Sequence, residues 1–455
     1  MKKISKSSKI LISILLVICI IAIVFIVKRI NEQNSNLDGN VNSNNASIFE
    51  SGNNLNNIMN TIENNTVNNT ETNTITNTEN IIETNVTNTI ITNTETVTEN
   101  TTDNNKTDTI ENVSNELFSQ YYKKAENIMK DMSLEEKVGQ MFLVRYPDSG
   151  VINQIKKEAP GGYILFGKDF DNETKTSILN ELTKNQQASK IGLIFGVDEE
   201  GGTVVRVSYH KAFRSSKFKS PQELWKQGQL PAILKDSREK SSLLKSIGLN
   251  MNLAPVVDVP SKTSAFMYDR SYGREAQNTA TYTSELIQTM NNDNMISVMK
   301  HFPGYGDNGD THTGVVIDER PYSTFETSDF LPFESGIKAG GPCILVSHNI
   351  VKSMDKNYPA SLSKNVHNIL RENLNFSGVI MTDDLAMDAV KAYVENGEAA
   401  VQAVLAGNDM IISSDFVNQK QEVLKAVKNK KISEDLINKA VRRILAMKIA
   451  YGIIK

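Results

Sequence analysis

The densest group of chemically competent side chains lies in one segment, from Lys300 to Gly314. Within it, Asp310 and His312 are two residues apart, a spacing at which the carboxylate can reach the imidazole and hold it in one tautomer. An imidazole in that setting can release and accept a proton near neutral pH. Pro303 and several glycines interrupt the segment, which indicates a long irregular loop of the kind on which enzymes carry functional residues.

A second cluster, from Met381 to Met387, contains the neighbouring carboxylates Asp383 and Asp384. Asp383 falls at the end of an apolar run, although spacing alone leaves both candidates open. Polar residues also stand where other apolar runs end, at Asp198, Asp258, Lys300, His301, His348 and Ser413. Strands that simply end at water would explain some of these. A parallel barrel explains them together, because its active site is assembled at the carboxyl ends of its strands.

The apolar runs are short and rich in Val, Ile, Leu and Met without polar alternation, which is typical of strands that are buried on both faces. Eight of them occur, at residues 141–146, 162–166, 193–198, 251–258, 297–302, 343–348, 378–383 and 410–414. Helix-like segments separate most of them, at residues 174–189, 279–292, 360–374 and 398–406. Before them, Ser133 and Glu136 form a capping-box pattern that begins a helix. Eight βα units in about 340 residues predict an α/β fold, a TIM-type (β/α)8 barrel spanning residues 116–455.

Composition and charge exclude several classes of protein. Hydrophobic residues make up 39% of the 455 residues, which indicates that part of the chain does not pack, while 7% aromatic residues indicate a real core elsewhere. The two cysteines, Cys19 and Cys343, exclude a disulfide-rich scaffold and a zinc site built from several cysteines. Residues 1–30 carry a charge of +6 and residues 31–115 carry −11, so the overall −4 leaves residues 116–455 close to neutral. A nearly neutral domain gives no electrostatic reason to expect a nucleic-acid partner.

The N-terminal block, residues 1–30, has the pattern of a membrane anchor. Residues 10–27 form a run of 18 without a charge, about the minimum for a helical span at roughly 1.5 Å per residue. Four lysines precede the run, which favours a cytoplasmic N-terminus. A cleaved signal peptide is the alternative, but no small-x-small cleavage pattern follows, and the bulky Ile18 before Cys19 argues against a lipoprotein site. We therefore predict a single-pass cell-membrane protein with an extracytoplasmic domain, and leave open whether the anchor is cleaved.

Residues 31–115 are dominated by asparagine and threonine, with no proline and with Phe49 as their one aromatic residue. Such a composition cannot bury enough apolar surface to offset the entropy lost on ordering, so we predict a disordered linker. A tether that holds a domain away from a membrane is the functional interpretation. A segment without a role, or an asparagine-rich segment prone to β-aggregation, is the alternative.

Five motifs together resemble the β-N-acetylglucosaminidase branch of the family 3 glycoside hydrolases. They are Val197-Asp-Glu-Glu-Gly-Gly-Thr-Val-Val-Arg206, Asp269-Arg-Ser-Tyr-Gly273, Lys300-His-Phe-Pro-Gly-Tyr-Gly306, Asp310-Thr-His312 and Thr382-Asp-Asp-Leu-Ala-Met387. The motifs occur in the family's order, and the resemblance covers most of residues 125–455. Members of this branch have a TIM-type barrel and remove a terminal non-reducing N-acetylglucosamine, often from cell-wall fragments. The resemblance therefore implies a β-N-acetylhexosaminidase.

The resemblance also assigns roles to matching positions. Asp383, the first of the two aspartates, would be the nucleophile of a retaining double displacement. His312 would be the general acid and base, with Asp310 as its partner, where most retaining glycosidases use a second carboxyl group. The residues that would hold the terminal sugar are Asp198, Arg206, Arg270, Lys300 and His301. No metal or cofactor is implied, and the expected partners are an amino-sugar glycan of the cell wall and the membrane.

Each of these residues also has an ordinary structural interpretation. Asp310 could be a turn residue and Asp198 could cap a strand–helix turn. Arg270 could form a surface salt bridge, and His301 could be a buried histidine whose only role is structural. The histidines outside the motifs are His348, which is left open between pocket and core, and His210 and His367, which are expected at the surface.

Three other functions stay open. A metal-dependent barrel hydrolase is one, because the residue types suit zinc or iron, although no histidine pair is one helical turn apart. Its ligands would be His301, Asp310, His312 and Asp383. A sugar-binding or wall-anchoring module without turnover is the second. The third is a phosphate-using variant of the same enzyme, since an imidazole repels the phosphate anion less than a carboxylate does.

Overall fold

The strands of the domain coincide with the eight apolar runs. The computed structural model describes residues 116–311, 314–391, 393–394 and 398–455, so the predicted anchor, the predicted linker and His312 lie outside the described residues. Within the described residues, the strands of the main sheet are β1 (Phe142–Arg145), β2 (Gly162–Leu165), β3 (Ile194–Val197), β4 (Met251–Asn252), β5 (Ile296–Phe302), β7 (Cys343–Val346), β9 (Val379–Thr382) and β10 (Ile411–Ser413). The prediction of eight buried strands is confirmed.

These strands form one parallel barrel. Hydrogen bonds join them in the order β10-β1-β2-β3-β4-β5-β7-β9. A parallel bridge between Met381 and Met410 joins β9 to β10, and the Met410 amide donates to the Ile380 carbonyl at 3.0 Å, so the ladder closes on itself. The TIM-type barrel that the sequence predicts is therefore present. Two further strands, β6 (Ile317–Asp318) and β8 (Ile350–Val351), pair in parallel with each other in the loops that follow β5 and β7.

Helices connect the strands and cover the barrel. They are Tyr122–Lys130, Leu134–Gln140, Val151–Glu158, Lys175–Ala188, Pro221–Ser246, Ala276–Asn292, Tyr322–Thr324, Phe330–Lys338, Lys364–Asn368, Asp388–Lys391, Glu398–Ala406, Phe416–Lys428 and Glu434–Ala450. Short 3-10 segments are Ser119–Tyr121, Gly167–Phe170 and Ala360–Leu362, and π-helical turns are Phe325–Asp329 and Ile369–Asn373. Across the described part of the chain, no helix is both long and apolar enough to cross a bilayer.

Local sequence explains where several helices begin. Ser133 Oγ accepts a hydrogen bond from the Glu136 amide at 3.1 Å, and the Glu136 carboxylate accepts one from the Ser133 amide at 2.8 Å, so the predicted capping box is confirmed. Ser220 and Glu223 form the same box at the start of Pro221–Ser246, where the proline stands in the first turn and needs no amide donor. Within this long helix, Gly228 and its neighbour leave helical geometry and produce a kink.

The two ends of the barrel differ in what they offer chemistry. The strands are mostly apolar, because helices cover the outer face of the barrel and side chains fill its interior. The candidate residues lie at the carboxyl ends, with Lys300 on β5 and with Asp198 and Asp383 directly after β3 and β9. At the opposite end, Leu117 donates its amide to Ser377 Oγ at 2.7 Å, just before β9 begins. The chain thus enters the barrel at the face that is remote from the candidate residues.

The amino end of the barrel contains a buried lysine. Lys448, on the helix Glu434–Ala450, has 0% exposure and donates to Gln140 Oε1 at 2.7 Å and to the Gly192 carbonyl at 2.8 Å. Burial lowers the pKa of Lys448 to about 7. In the unfolded chain the same group titrates near 10.5. As the pH falls from 10.5 towards 7, the unfolded ensemble binds this proton first, so the folded state loses stability across that window.

We therefore expect Lys448→Met to remove this pH dependence. Between pH 10 and pH 7 the free energy of unfolding of the wild type should fall by about 3 kcal/mol relative to the variant. Denaturant unfolding at several pH values in this range measures the difference. Lys439→Met, at an exposed position on the same helix, is the control and should follow the wild type. If the difference in free energy of unfolding between wild type and Lys448→Met stayed constant from pH 7 to pH 10, the prediction would be wrong.

Candidate active site

A buried ion-pair network lies at the carboxyl ends of β3 and β5. Lys300, on β5, is 2% exposed, and its Nζ lies 2.6 Å from Asp198 Oδ1 and 2.7 Å from Glu200 Oε1. Asp198 and Glu200 directly follow β3, so the two strands bring the cation and its partners together. Two carboxylates around one ammonium satisfy a buried charge that would otherwise be costly to bury.

Arg270 completes this network from the loop that follows β4. Its Nη2 lies 2.7 Å from Glu200 Oε1 and its Nε lies 3.0 Å from Oε2, which is a two-bond, fork-like contact. Burial opposes ionisation of the Glu200 carboxyl, but Lys300 and Arg270 outweigh it and hold the pKa of Glu200 well below its usual range. The Arg270 side chain is largely buried, so its interpretation as a surface salt bridge is wrong.

A histidine is fixed beside the same arginine. His301 Nδ1 lies 2.8 Å from Asp258 Oδ2, and its Nε2 lies 3.5 Å from Arg270 Nη2. Because the carboxylate needs a donor and the guanidinium needs an acceptor, these contacts assign the proton to Nδ1 and leave Nε2 as the acceptor. Asp258 Oδ1 also accepts the Tyr305 amide at 2.8 Å. Asp258 therefore joins the strand that carries His301 to the loop that follows it.

Replacing Asp258 by asparagine should disturb this histidine. The amide can present a donor to Nδ1 and so favour the other tautomer, while backbone contacts at the start of the loop weaken. We expect kcat/KM to fall by about 10²-fold, a loss typical of a small misplacement in a site. Steady-state kinetics measures it.

The control for this experiment is Asp409→Asn. Asp409 is a buried carboxylate that pairs with Arg371 and Arg443 and accepts the Ile380 amide at the other end of the barrel. Its loss should reduce stability but leave the kcat/KM of the folded enzyme unchanged. Equal kinetic losses in the two variants would show that Asp258 has only a structural role.

The loop that follows β5 brings Asp310 towards the site. The Tyr305 hydroxyl lies 2.5 Å from Thr311 Oγ1, directly after Asp310, which is partly buried. Burial raises the pKa of the Tyr305 hydroxyl, the bond to Thr311 lowers it, and the negative charge of Asp383 raises it further. His312 follows two residues after Asp310, outside the described residues.

The two neighbouring aspartates differ in their surroundings. Asp384 Oδ1 accepts the Ala386 amide at 3.0 Å, and Oδ2 accepts the Ser414 hydroxyl at 2.5 Å. That carboxylate therefore ties the loop after β9 to the loop after β10. Asp383, at the end of β9, accepts the Asp384 amide through Oδ1 at 2.8 Å. These contacts give Asp384 a structural role in its loop.

His348 contributes to the same loop. It is buried, with Nε2 3.0 Å from the Asp384 carbonyl and Nδ1 2.7 Å from Ser361 Oγ. A ring held at both nitrogens fixes the backbone next to Asp383. His348 therefore supports the loop that carries Asp383. The expectation that His367 lies at the surface is wrong, because it is buried on Lys364–Asn368 and bonds the Ser363 carbonyl through Nδ1.

Arg206 stands apart from the ion-pair network. Its guanidinium lies 5.8 Å from the centre of the Phe166 ring, and Arg145 lies over the same ring at 4.5 Å. Its backbone amide donates to the buried Glu199 carboxylate at 2.7 Å. Within the described part of the chain, Arg206 Nε is buried without a hydrogen-bond partner. The structure therefore does not join Arg206 directly to Lys300.

Sequence reasoning placed Asp258 at a strand end but gave it no role, and it singled out neither Glu200 nor Tyr305. Glu200 stands two residues after Asp198 in a quoted motif, and Asp258 ends a predicted strand, so both carried a signal that received no role. Tyr305 carried none, because its role depends on the fold of its loop. Among the described residues, no group of three or more His, Cys, Asp or Glu side chains has a geometry that could hold a metal ion.

Comparison with known proteins identifies the family. The family model described as glycosyl hydrolase family 3 N terminal domain matches residues 133–447. A relative from Nitrosomonas eutropha named beta-hexosaminidase is 31% identical over 281 residues, which cover 60% of this chain and 78% of the relative. A second beta-hexosaminidase, from Methylococcus capsulatus, is 28% identical over 291 residues, which cover 64% of this chain and 84% of the relative.

Solved structures agree with this assignment. A family 3 β-N-acetylglucosaminidase from Paenibacillus sp. superposes with a TM-score of 0.66 and 27% identity. The superposition covers 71% of this chain and 63% of that one, so this chain spans less than two thirds of that structure. A β-N-acetylhexosaminidase from Beutenbergia cavernae, at 23% identity and a TM-score of 0.62, shares the fold. The resemblance read from the motifs is confirmed, and the chain belongs to glycosyl hydrolase family 3 as a glycoside hydrolase.

Proposed function

We propose that this enzyme is a β-N-acetylhexosaminidase that removes terminal non-reducing N-acetylglucosamine by a retaining double displacement. The observation that carries the proposal is the buried network of Asp198, Glu200, Arg270 and Lys300, at the same end of the barrel as Asp383. Relatives named beta-hexosaminidase support the choice of substrate class.

The network suits the recognition of a neutral sugar. Lys300 and Arg270 supply donors whose positions are fixed by Glu200, and Asp198 supplies an acceptor. Sugar hydroxyl groups can both donate and accept, so they complement such a mixed set. Because the charges are already held in place by their partners, little reorganisation is needed as charge develops in the transition state.

In the first step, Asp383 attacks the anomeric carbon and the bond to the leaving oxygen breaks. His312 gives its proton to that oxygen, so the leaving group departs as a neutral alcohol. In the second step, neutral His312 takes a proton from water, whose oxygen displaces the Asp383 carboxylate from the anomeric carbon. An ordinary imidazole pKa of about 6.5 suits both directions of transfer. Asp310 would stabilise the imidazolium form between these steps.

The proposal extends to where the enzyme works. Residues 1–30 would anchor the chain in the membrane, residues 31–115 would act as a tether, and the catalytic domain would be extracytoplasmic. Cell-wall glycan fragments are then the substrate within reach. Protease added to intact cells that make the full chain should release the domain by cutting the linker, and protection from protease would contradict this topology.

The chemistry is tested with the full chain in detergent and cell-wall fragments as substrate. Mass spectrometry should detect free N-acetylglucosamine, and NMR during the reaction should detect its β anomer first. Release of N-acetylglucosamine 1-phosphate in phosphate buffer would favour the phosphate-using variant instead. Binding of the fragments without any product would favour a sugar-binding module and would contradict the proposal.

A further inference from the structure

Arg320 lies outside every motif of the sequence, yet it occupies the centre of a second buried ion-pair cluster. Its Nη2 lies 2.7 Å from Asp318 Oδ2, and its Nη1 lies 3.0 Å from Asp329 Oδ2. Both carboxylates are buried, while the arginine side chain is 25% exposed. We call these three residues the carboxylate clamp. It joins the small strand β6 to the π-helical turn Phe325–Asp329.

The clamp holds the base of the loop that carries Asp310. Arg320 Nη2 donates to the Gly304 carbonyl at 2.9 Å. Gly304 and Gly306 both have positive φ angles, +121° and +55°. A Cβ at Gly304 would lie 2.2 Å from Asp329 Oδ1, and one at Gly306 would lie 2.5 Å from the Arg320 guanidinium carbon. The loop backbone therefore packs directly on the clamp, with no room for side chains between them.

A chain of hydrogen bonds leads from the clamp to the neighbour of Asp310. Asn308 Nδ2 donates to Asp318 Oδ2 at 2.7 Å and to the Tyr305 carbonyl at 2.8 Å. Tyr305 in turn bonds Thr311 through its hydroxyl group at 2.5 Å. Thr311 is the residue between Asp310 and His312 in the sequence. The clamp is thus connected by hydrogen bonds to Thr311, at the far end of the loop.

Only an arginine can make this set of contacts. The planar guanidinium has five donors in a fixed fork, and here they serve two carboxylates and one carbonyl at once. A lysine would keep the charge but could not bridge all three. Burial raises the pKa of the Asp329 carboxyl to about 7, although Arg320 lowers it. The ionised form of Asp329 therefore depends on its arginine partner.

We propose that Arg320 is a positioning residue that sets the acid–base loop of the active site through the carboxylate clamp. The inference rests on the proposed function, because it assigns proton transfer to the end of this loop. Loosening the clamp should impair protonation of the leaving group more than it impairs binding or attack by Asp383. Substrates whose leaving groups need a proton should then suffer most.

The test compares Arg320→Lys with the wild-type full chain on two aryl N-acetyl-β-glucosaminides. One carries 4-nitrophenol, which leaves without help, and the other carries the more basic 4-methoxyphenol. We expect kcat/KM to fall by about 10²-fold for 4-methoxyphenol and by less than about 10-fold for 4-nitrophenol. Asn308→Ala removes only the hydrogen bonds that join the clamp to the loop. It should lower kcat/KM for both substrates, again more for 4-methoxyphenol, but by smaller factors than Arg320→Lys.

Arg443→Lys is the matched control. Arg443 is 21% exposed and bonds the buried Asp409 at 3.0 Å, at the opposite end of the barrel. It should lower stability without changing the ratio of the two kcat/KM values. If Arg320→Lys lowered kcat/KM equally for both substrates, the inference would be overturned and the proposed function would stand. The same holds if neither Arg320→Lys nor Asn308→Ala lowered kcat/KM. A wild type that hydrolysed neither substrate would overturn the proposed function, and the inference with it.

Discussion

Asp383→Ala is expected to abolish hydrolysis of an aryl N-acetyl-β-glucosaminide, with a loss of kcat of about 10⁴-fold or more. Without the carboxylate no glycosyl–enzyme intermediate can form. Asp384 is unsuited to replace it, because Ala386 and Ser414 hold its carboxylate in the loop structure. Burst kinetics and steady-state rates with the 4-nitrophenyl substrate measure the effect.

The control for this experiment is Asp384→Asn at the neighbouring position. The amide keeps an oxygen that can accept one of the two contacts, so a loss of about 10-fold or less is expected from a small shift of the loop. Circular dichroism of both variants establishes that each is folded. Full activity in Asp383→Ala, or a greater loss in Asp384→Asn than in Asp383→Ala, would refute the mechanism.

His312→Ala is expected to cause the second largest loss of activity, but only for substrates whose leaving group must be protonated. General acid–base catalysis contributes about 10²-fold to 10⁴-fold, and this is the loss expected for a glycan or alkyl leaving group. For 4-nitrophenol, the first step needs little protonation, so the intermediate should form and then accumulate. Rates measured across a series of aryl leaving groups give the dependence on leaving-group pKa, which should steepen in the variant.

Azide provides an independent check on His312→Ala. A small anionic nucleophile needs no general base, so it should restore turnover of the 4-nitrophenyl substrate and yield a glycosyl azide. His210→Ala, in the loop after β3, is the control. Azide should not increase its turnover, and its dependence on leaving-group pKa should match that of the wild type. If the losses in His312→Ala were the same for every leaving group, another residue would have to be the acid and base.

The barrel could be predicted because its signals are local. A strand buried on both faces needs a continuous apolar run, and all eight runs became strands of the ring. The capping box at Ser133 likewise depends on residues three apart. The segment 360–374 was predicted only as helix-like, and it is divided into 3-10, α and π portions ending at Asn373. Apolar periodicity does not distinguish these helical types.

The site was predictable only where it coincided with motifs. Lys300, His301 and Asp198 were singled out, yet the residue that joins Lys300 to Arg270 is Glu200, which no pattern distinguished from its neighbour Glu199. The partners of a buried charge come from loops far apart in the sequence, and their meeting depends on the closed ring. Arg320 could not be predicted for the same reason, because its contact with the loop forms only when the loop folds against it.

Under the proposed function, the charges around the site also bear on which sugars we expect it to accept. The carboxylates of Asp198, Glu200, Asp258 and the proposed nucleophile Asp383 together outnumber the permanent cations, Lys300 and Arg270. A muramic acid residue, which carries a lactyl carboxylate, would therefore meet an excess of like charge on entering. The neutral glucosamine of an alternating wall polymer would not, so the enzyme should trim such a chain by one residue and stop when muramic acid becomes terminal.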